Sequence, residues 1–152
     1  MASIRPRYIP VPTQDAPESG RLILRDGTTA SIRLAKPTDQ EAMAIFFAAL
    51  SQESRLQRFF SLAVPENKLI SSFCDDSNSR HQLTLIVTQL AGTTPVIIAV
   101  GSYVARDETA AEIGLAVADA WQGKGIGTLM LERLALLAVA NGVRHFWAMT
   151  MA

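Results

Sequence analysis

The hydrophobic pattern predicts an α/β (α+β) domain with a mixed, mostly antiparallel sheet flanked by helices. Three observations carry this expectation. Two short β-patterned runs lie about Asp26-Gly27. Three consecutive β-like runs occupy 83–90, 96–105 and 110–118. A broad apolar stripe of helical period, with Ile126, Leu129, Met130, Leu134, Leu137 and Ala138, then extends from about Gly125 to Ala140. With 152 residues, 49% hydrophobic and 18% charged, the chain can bury one sizeable core.

Taken in order, residues 1–20 hold Pro6, Pro10, Pro12 and Pro17 among polar residues and read as a flexible, proline-rich arm. Residues 21–152 form the domain. Leu22 to Leu24 and Thr28 to Leu34 make a hairpin about the DG turn. After Pro37, Thr38 and Glu41 form a T-x-x-E capping box that opens a helix through Met43, Phe46, Phe47 and Leu50. Ser51 caps a second short helix carrying Leu56, Phe59 and Phe60, and Pro65 precedes a third through Leu69, Ile70 and Phe73. The three following strands make an antiparallel meander, turning at Gly92 and over Arg106 to Thr109. Asn141-Gly142 ends the long helix, and Val143 to Met151 forms a last strand. A strand this apolar at the end of the sequence suggests a fragment. Phe146, Trp147 and Met149 would then drive self-association through an uncovered edge.

Charge and composition exclude several classes. Lys plus Arg and Asp plus Glu are each 14, for zero net charge, so the basic excess of a nucleic-acid binder is missing. The longest apolar runs fall far short of the roughly 20 residues that span a bilayer, and no export signal opens the chain. A lone cysteine, Cys74, offers no disulfide framework, so a soluble protein of the reducing cytoplasm is expected. His145 has no companion at metal-ligand spacing, and no metal is expected. Cys74 reads as a small helix-end residue, Arg55 and Arg58 as a solvated helix face, and Trp121 and Trp147 as packing residues.

Chemistry concentrates in EIGLAVADAWQGKGIGT, residues 112–128, where a strand enters a loop with glycines at 123, 125 and 127 and then a helix. Such glycines admit close approach to backbone, and the helix start presents unpaired N–H groups, so an anion fits, best a pyrophosphate. A Walker A loop is excluded because Gly125, not Ser or Thr, follows Lys124. A dinucleotide fingerprint fails because Met130 stands where its third glycine belongs.

Gln122, Gly125 and Gly127 resemble the Q/R-x-x-G-x-G/A motif of the GNAT superfamily of acetyl-CoA-dependent N-acetyltransferases, and the element order from Arg21 follows that family's plan through its fifth core strand. Residues 50–61 (LSQESRLQRFFS) and the strand AEIGLAV are similar to segments of bacterial Pat-type protein lysine acetyltransferases, often fused to an acyl-CoA-synthetase-like region. The resemblance implies a GNAT-like fold truncated after that strand. It also implies that the amides of Gly123, Lys124, Gly125, Ile126, Gly127 and Thr128 hold the CoA pyrophosphate, with Gln122 shaping the loop. Leu115 and Val117 would pair through backbone with pantetheine, Val117 N–H reaching the thioester carbonyl.

Glu112 is the one carboxylate inside this apolar strand and is the candidate base. An amine of pKa about 10.4 arrives protonated and must lose a proton before it attacks. An edge-facing, solvated or salt-bridged Glu112 is the alternative. The family's acid is a tyrosine on a later helix. Tyr8 and Tyr103 both lie upstream, and no acid is assigned. The expected partners are acetyl-CoA and a protein lysine or small amine. The rival readings are a non-catalytic acyl-CoA-binding regulatory module and a small-molecule amine acetyltransferase.

Overall fold

The computed structural model describes residues 7–9, 20–59 and 65–148. One seven-stranded sheet runs in sequence order: β1 (Arg7–Ile9), β2 (Gly20–Ile23), β3 (Thr29–Leu34), β4 (Gln82–Ala91), β5 (Thr94–Ala105), β6 (Ala110–Val117) and β7 (His145–Trp147). Every pairing is antiparallel except β6 with β7. Helices α1 (Gln40–Ala49), α2 (Gln52–Phe59) and α3 (Asn67–Phe73) connect β3 to β4, and α4 (Ile126–Ala140) connects β6 to β7. The mixed, mostly antiparallel sheet with flanking helices is as expected. Within the proline-rich segment there is a correction: Arg7–Ile9 pairs with β2, as Tyr8 and Ile9 favour strand.

The sheet buries both faces. On one, Leu129, Met130, Leu134 and Leu137 of α4 pack on Leu22, Leu85, Val87 and Tyr103. On the other, Met43, Phe46 and Phe47 of α1 and Ile70 and Phe73 of α3 pack on Ile86, Val100 and Ala116. A bulge opposite Val87 and Thr88 breaks the alternation of β5, so consecutive Ile98 and Ala99 both join the α4 side. Helix α4 lies so near β5 that a Cβ on Gly101 would stand 2.7 Å from Leu115 and 2.9 Å from Met130.

The start of α1 differs from the T-x-x-E expectation. A 3-10 turn over Pro37–Asp39 precedes the helix, and Asp39 does the capping: it accepts from Lys36 N–H (2.8 Å) and takes both Arg33 guanidinium nitrogens at 2.7 and 2.8 Å. A buried carboxylate with a bidentate arginine partner outcompetes the Thr38 hydroxyl for this position. Ser51 does cap α2, its Oγ accepting from Ser54 N–H at 3.1 Å. Arg55 is not a solvated residue, since its guanidinium donates to Leu50 O at 2.8 Å where α1 ends.

The last strand is shorter than the Val143 to Met151 expected, and Met149 lies outside the described residues. Phe146 packs on Tyr103, 6.1 Å between ring centres, and so withdraws part of the apolar surface expected to drive self-association. Trp147 is not a packing residue: it is 43% exposed and carries Arg106 5.3 Å from its ring centre.

Arg33, then the Lys36 N–H, hold the Asp39 carboxyl below the usual carboxylate range. A depressed folded-state pKa stabilises the fold above the unfolded value of about 3.9, and that contribution disappears as pH falls through the folded value. Urea unfolding should show Asp39→Ala about 2 kcal/mol less stable at pH 7, with the difference shrinking below pH 4.

Candidate active site

Strand β6 organises the site through its backbone. Val117 faces Ala99 in the β5 ladder, and Ala118 N–H donates to Ile98 O at 2.8 Å, which makes Val117 and Ala99 a pair that does not share hydrogen bonds. By alternation Ile113, Leu115 and Val117 turn their N–H and C=O groups away from β5. Gln122 Nε2 donates to Val117 O on that outer side at 3.0 Å. Among the described residues β7 accompanies β6 only as far as Glu112, so no described strand lies beside Ile113 to Val117 there.

That edge leads to the start of α4. Gly123 and Gly125 have φ of 78° and 88°, which L side chains rarely adopt, and they turn the chain from strand to helix. Gly125 is the N-cap, without a side-chain hydrogen bond to close the helix. The first intrahelical bond here runs from Leu129 N–H to Gly125 O, which leaves the amides of Ile126, Gly127 and Thr128 without a helical acceptor. Gly127 differs from its neighbours: its φ is ordinary, and a Cβ there would meet nothing within 4 Å. The fold does not need a glycine at 127.

Three side-chain ties hold the loop. Gln122 also donates to Ser54 Oγ of α2 at 3.2 Å. Asp119 accepts from Ser51 N–H at 3.2 Å, and the Ser51 hydroxyl, followed by that N–H, lowers its pKa. Lys124 pairs with Asp26, 98 residues away in sequence, at 2.8 Å, and its ammonium with the Thr28 hydrogen bonds holds the Asp26 carboxyl well below the usual range. Lys124 thus anchors the loop to the β2–β3 turn with its side chain, as its carbonyl does by accepting from Arg25 N–H at 3.2 Å. A cavity of about 280 Å³ lies over the glycines between Val117, Gln122 and Thr128. Arg25 lines it too, a cation that sequence reading missed because nothing local connects that turn to residues 122–128.

At the other end of β6, Glu112 forms an ion pair with Arg106, the alternative weighed for it from the sequence. Glu112 borders two neighbouring cavities, of about 290 and 180 Å³, together with Arg58, Ile113 and Gly114. Arg58 corrects the solvated-face expectation. Its guanidinium lies against Gly114, where a Cβ would stand 2.4 Å from Cζ, and it donates to Ser102 Oγ at 3.3 Å. Loss of hydration pushes its pKa down to about 10.

Burial keeps two other side chains out of the chemistry. Tyr103 is fully enclosed, donating to Ser79 O at 2.7 Å and accepting from Asn141 at 3.0 Å, so it is no proton donor to a cleft. Cys74 is buried beside Met43, and burial pushes its thiol up to about 11, which keeps it protonated. Among the described residues no group of three or more His, Cys, Asp or Glu could hold a metal, and no helix is long and apolar enough to cross a membrane.

An open strand edge leading to an uncapped, glycine-rich helix start, set in a mixed sheet flanked by helices, defines the class of α/β domain. The model of the acetyltransferase (GNAT) family matches residues 41–152, and the chain belongs to that family. The GNAT domain of S. lividans PAT shares the fold with a TM-score of 0.79 at 28% identity, over 89% of this chain and 80% of that one. A cAMP-binding acyltransferase from Mycobacterium smegmatis shares it with a TM-score of 0.59 at 23% identity over 97% of this chain, which spans only 39% of that protein. AAC(6')-Iy, solved with a CoA-S-monomethyl-acetylneamine bisubstrate analogue, matches over 82% of this chain and 81% of its own at 13% identity and a TM-score of 0.57.

The glycines should separate by their roles in thermal unfolding. Gly123→Ala, forced into positive φ, should cost about 1 kcal/mol. Gly127→Ala should leave stability unchanged or raise it by about 0.5 kcal/mol, because alanine is the better helix former and meets no neighbour there.

Proposed function

We propose that this domain transfers an acetyl group from acetyl-CoA to a primary amine, and that the amine is the ε-amine of a protein lysine in the cytoplasm. The observation that carries the reading is the outward edge of β6, which joins a carboxylate at Glu112 to the uncapped start of α4. The lysine acceptor rests on the resemblance of 50–61 and of β6 to Pat-type enzymes and on the likeness to the S. lividans PAT domain.

When bound, acetyl-CoA supplies an acyl group activated as a thioester. The amides of Gly123 to Thr128 and the positive end of the α4 dipole face its pyrophosphate, with Arg25 alongside. Lys124 acts through its backbone, since its ammonium is occupied by Asp26. Gln122 keeps the loop in register with β6. Leu115, through its outward N–H and C=O groups, and Val117, through its N–H, would pair with pantetheine, Val117 O being held by Gln122, and an outward N–H of this edge would serve the thioester oxygen, a donor typically worth about 3 kcal/mol in such a role. Glu112 takes the proton from the acceptor ammonium, directly or through water, once Arg106 releases it.

The Arg106 pair favours a second reading, an acyl-CoA-binding regulatory module without turnover, which would retain the loop and need no free carboxylate. Calorimetry and a coupled thiol-release assay separate the two. Wild type should bind CoA far better than pantetheine, and Gly125→Asp should bind neither CoA nor acetyl-CoA measurably. Gly127→Ala should weaken CoA binding although its fold is intact, so an unchanged affinity would sink the loop assignment. Glu112→Gln should keep acetyl-CoA affinity and lose roughly 10²- to 10⁴-fold in turnover on lysine peptides, the loss shrinking as pH rises toward the amine pKa. Turnover on small amines but not on peptides would move the acceptor to the small-molecule class, and binding without any turnover would establish the regulatory reading.

A further inference from the structure

Both cavities beside Glu112 are lined by Arg58, Ile113 and Gly114. The larger, about 290 Å³, also reaches Leu115 and Leu131, beside the outward edge of β6. The smaller, about 180 Å³, is also lined by Leu69, Phe73 and Ser102. The Arg58 side chain, which lines both, crosses from α2 to the sheet. Its guanidinium rests on Gly114, bonds Ser102 Oγ at 3.3 Å and stands 5.5 Å from the centre of the Phe73 ring. Three residues with short side chains make room for it: Thr84 faces Ser102 across β4 and β5, and Ser102 faces Gly114 across β5 and β6.

We propose that Arg58 is a specificity-determining residue, the wall that limits the length of the acyl group carried by the CoA thioester, closing the cavity beside β6 at about the depth of an acetyl group. The inference rests on the CoA reading given above. A ligand whose anionic end sits at residues 123–128 and whose chain follows Val117 and Leu115 brings its acyl end to the larger cavity, next to Arg58. Shortening this side chain joins that cavity to the space lined by Leu69, Phe73 and Val104, which suits additional methylenes. The role is one of bulk, because Glu112 shares both cavities and would repel an acyl group ending in a carboxylate.

Calorimetry with CoA, acetyl-CoA and butyryl-CoA tests this without knowledge of the acceptor. Wild type should bind acetyl-CoA more tightly than butyryl-CoA. Arg58→Ala should shift the ratio of the two affinities about tenfold toward butyryl-CoA, as two added methylenes find apolar cover, with affinity for CoA itself retained. Arg58→Met, uncharged and intermediate in length between arginine and alanine, should give a ratio between those of wild type and Arg58→Ala. Should Arg58→Ala fail to fold, Arg58→Gln, two bonds shorter than arginine and still polar, should shift the ratio in the same direction by a smaller factor. An unchanged ratio in the shortened variant while CoA still binds would overturn the inference alone. So would an Arg58→Met ratio equal to that of Arg58→Ala, which would assign discrimination to charge. A wild-type protein that binds no CoA would overturn the function on which the inference rests, and the inference with it.

Discussion

The hydrogen-bond phase of β6 against β5 is the constraint on which the rest of the site depends. One ladder step decides which residues give their N–H and C=O groups to β5 and which hold them outward. With Val117 in a pair that shares no hydrogen bonds, the outward set is Ile113, Leu115 and Val117. The same alternation sends their side chains to the α4 core and points Glu112, Gly114 and Ala116 to the opposite face, toward α1 to α3. Backbone edge, apolar anchoring and carboxylate placement therefore follow from one register. A slip of one residue would exchange the faces and leave an acidic group against α4.

That register is held from several directions. On its inner side β6 has a full ladder with β5 over Ala111 to Val117. Its outer end is tied by Gln122, which bonds both Val117 O and Ser54, so strand, loop and α2 move together. The loop is held in turn by Lys124 and Asp26 on the β2–β3 turn. Exposed ion pairs contribute little to global stability. Here the pair's importance is positional, since it fixes the approach of a distant hairpin to the glycine turn and brings Arg25 to its rim.

How much of this was legible in the sequence divides along the range of the interactions. The long helix, the three-strand meander and the glycine turn rest on local periodicity and on residues that tolerate positive φ, and they are where the pattern places them. Ser51 is a cap whose partner is three residues away, and it forms. Thr38 satisfies the same local rule and loses, because Asp39 has a partner in Arg33 on the preceding strand that no local rule describes. The glycine spacing marks the turn but does not show that Gly123 and Gly125 serve the backbone while Gly127 leaves room. Glu112 is visible as a carboxylate among apolar residues. Its pairing with Arg106 depends on how the chain returns from β5 to β6. Arg58 was the least legible, for its burial is set by a glycine and a serine on two later strands.

The choice of arginine at position 58 follows from that setting. A charged group withdrawn from water is costly unless its donors and its flat faces are both satisfied. Guanidinium suits the position because it is planar, weakly hydrated and able to stack, so one face can lie on the Gly114 backbone while the Phe73 ring stands nearby and an edge reaches Ser102. A lysine ammonium would keep its hydration and place one point charge where a plate is needed. Its incomplete solvation shows in the depressed pKa of about 10, yet the group remains cationic at neutral pH. The cation also balances Glu112 across the cavities they share, so β6 presents a carboxylate between two guanidiniums, Arg106 toward solvent and Arg58 inside. The inner guanidinium lies against Gly114 and bonds Ser102, and the outer one pairs with Glu112 beside an exposed tryptophan.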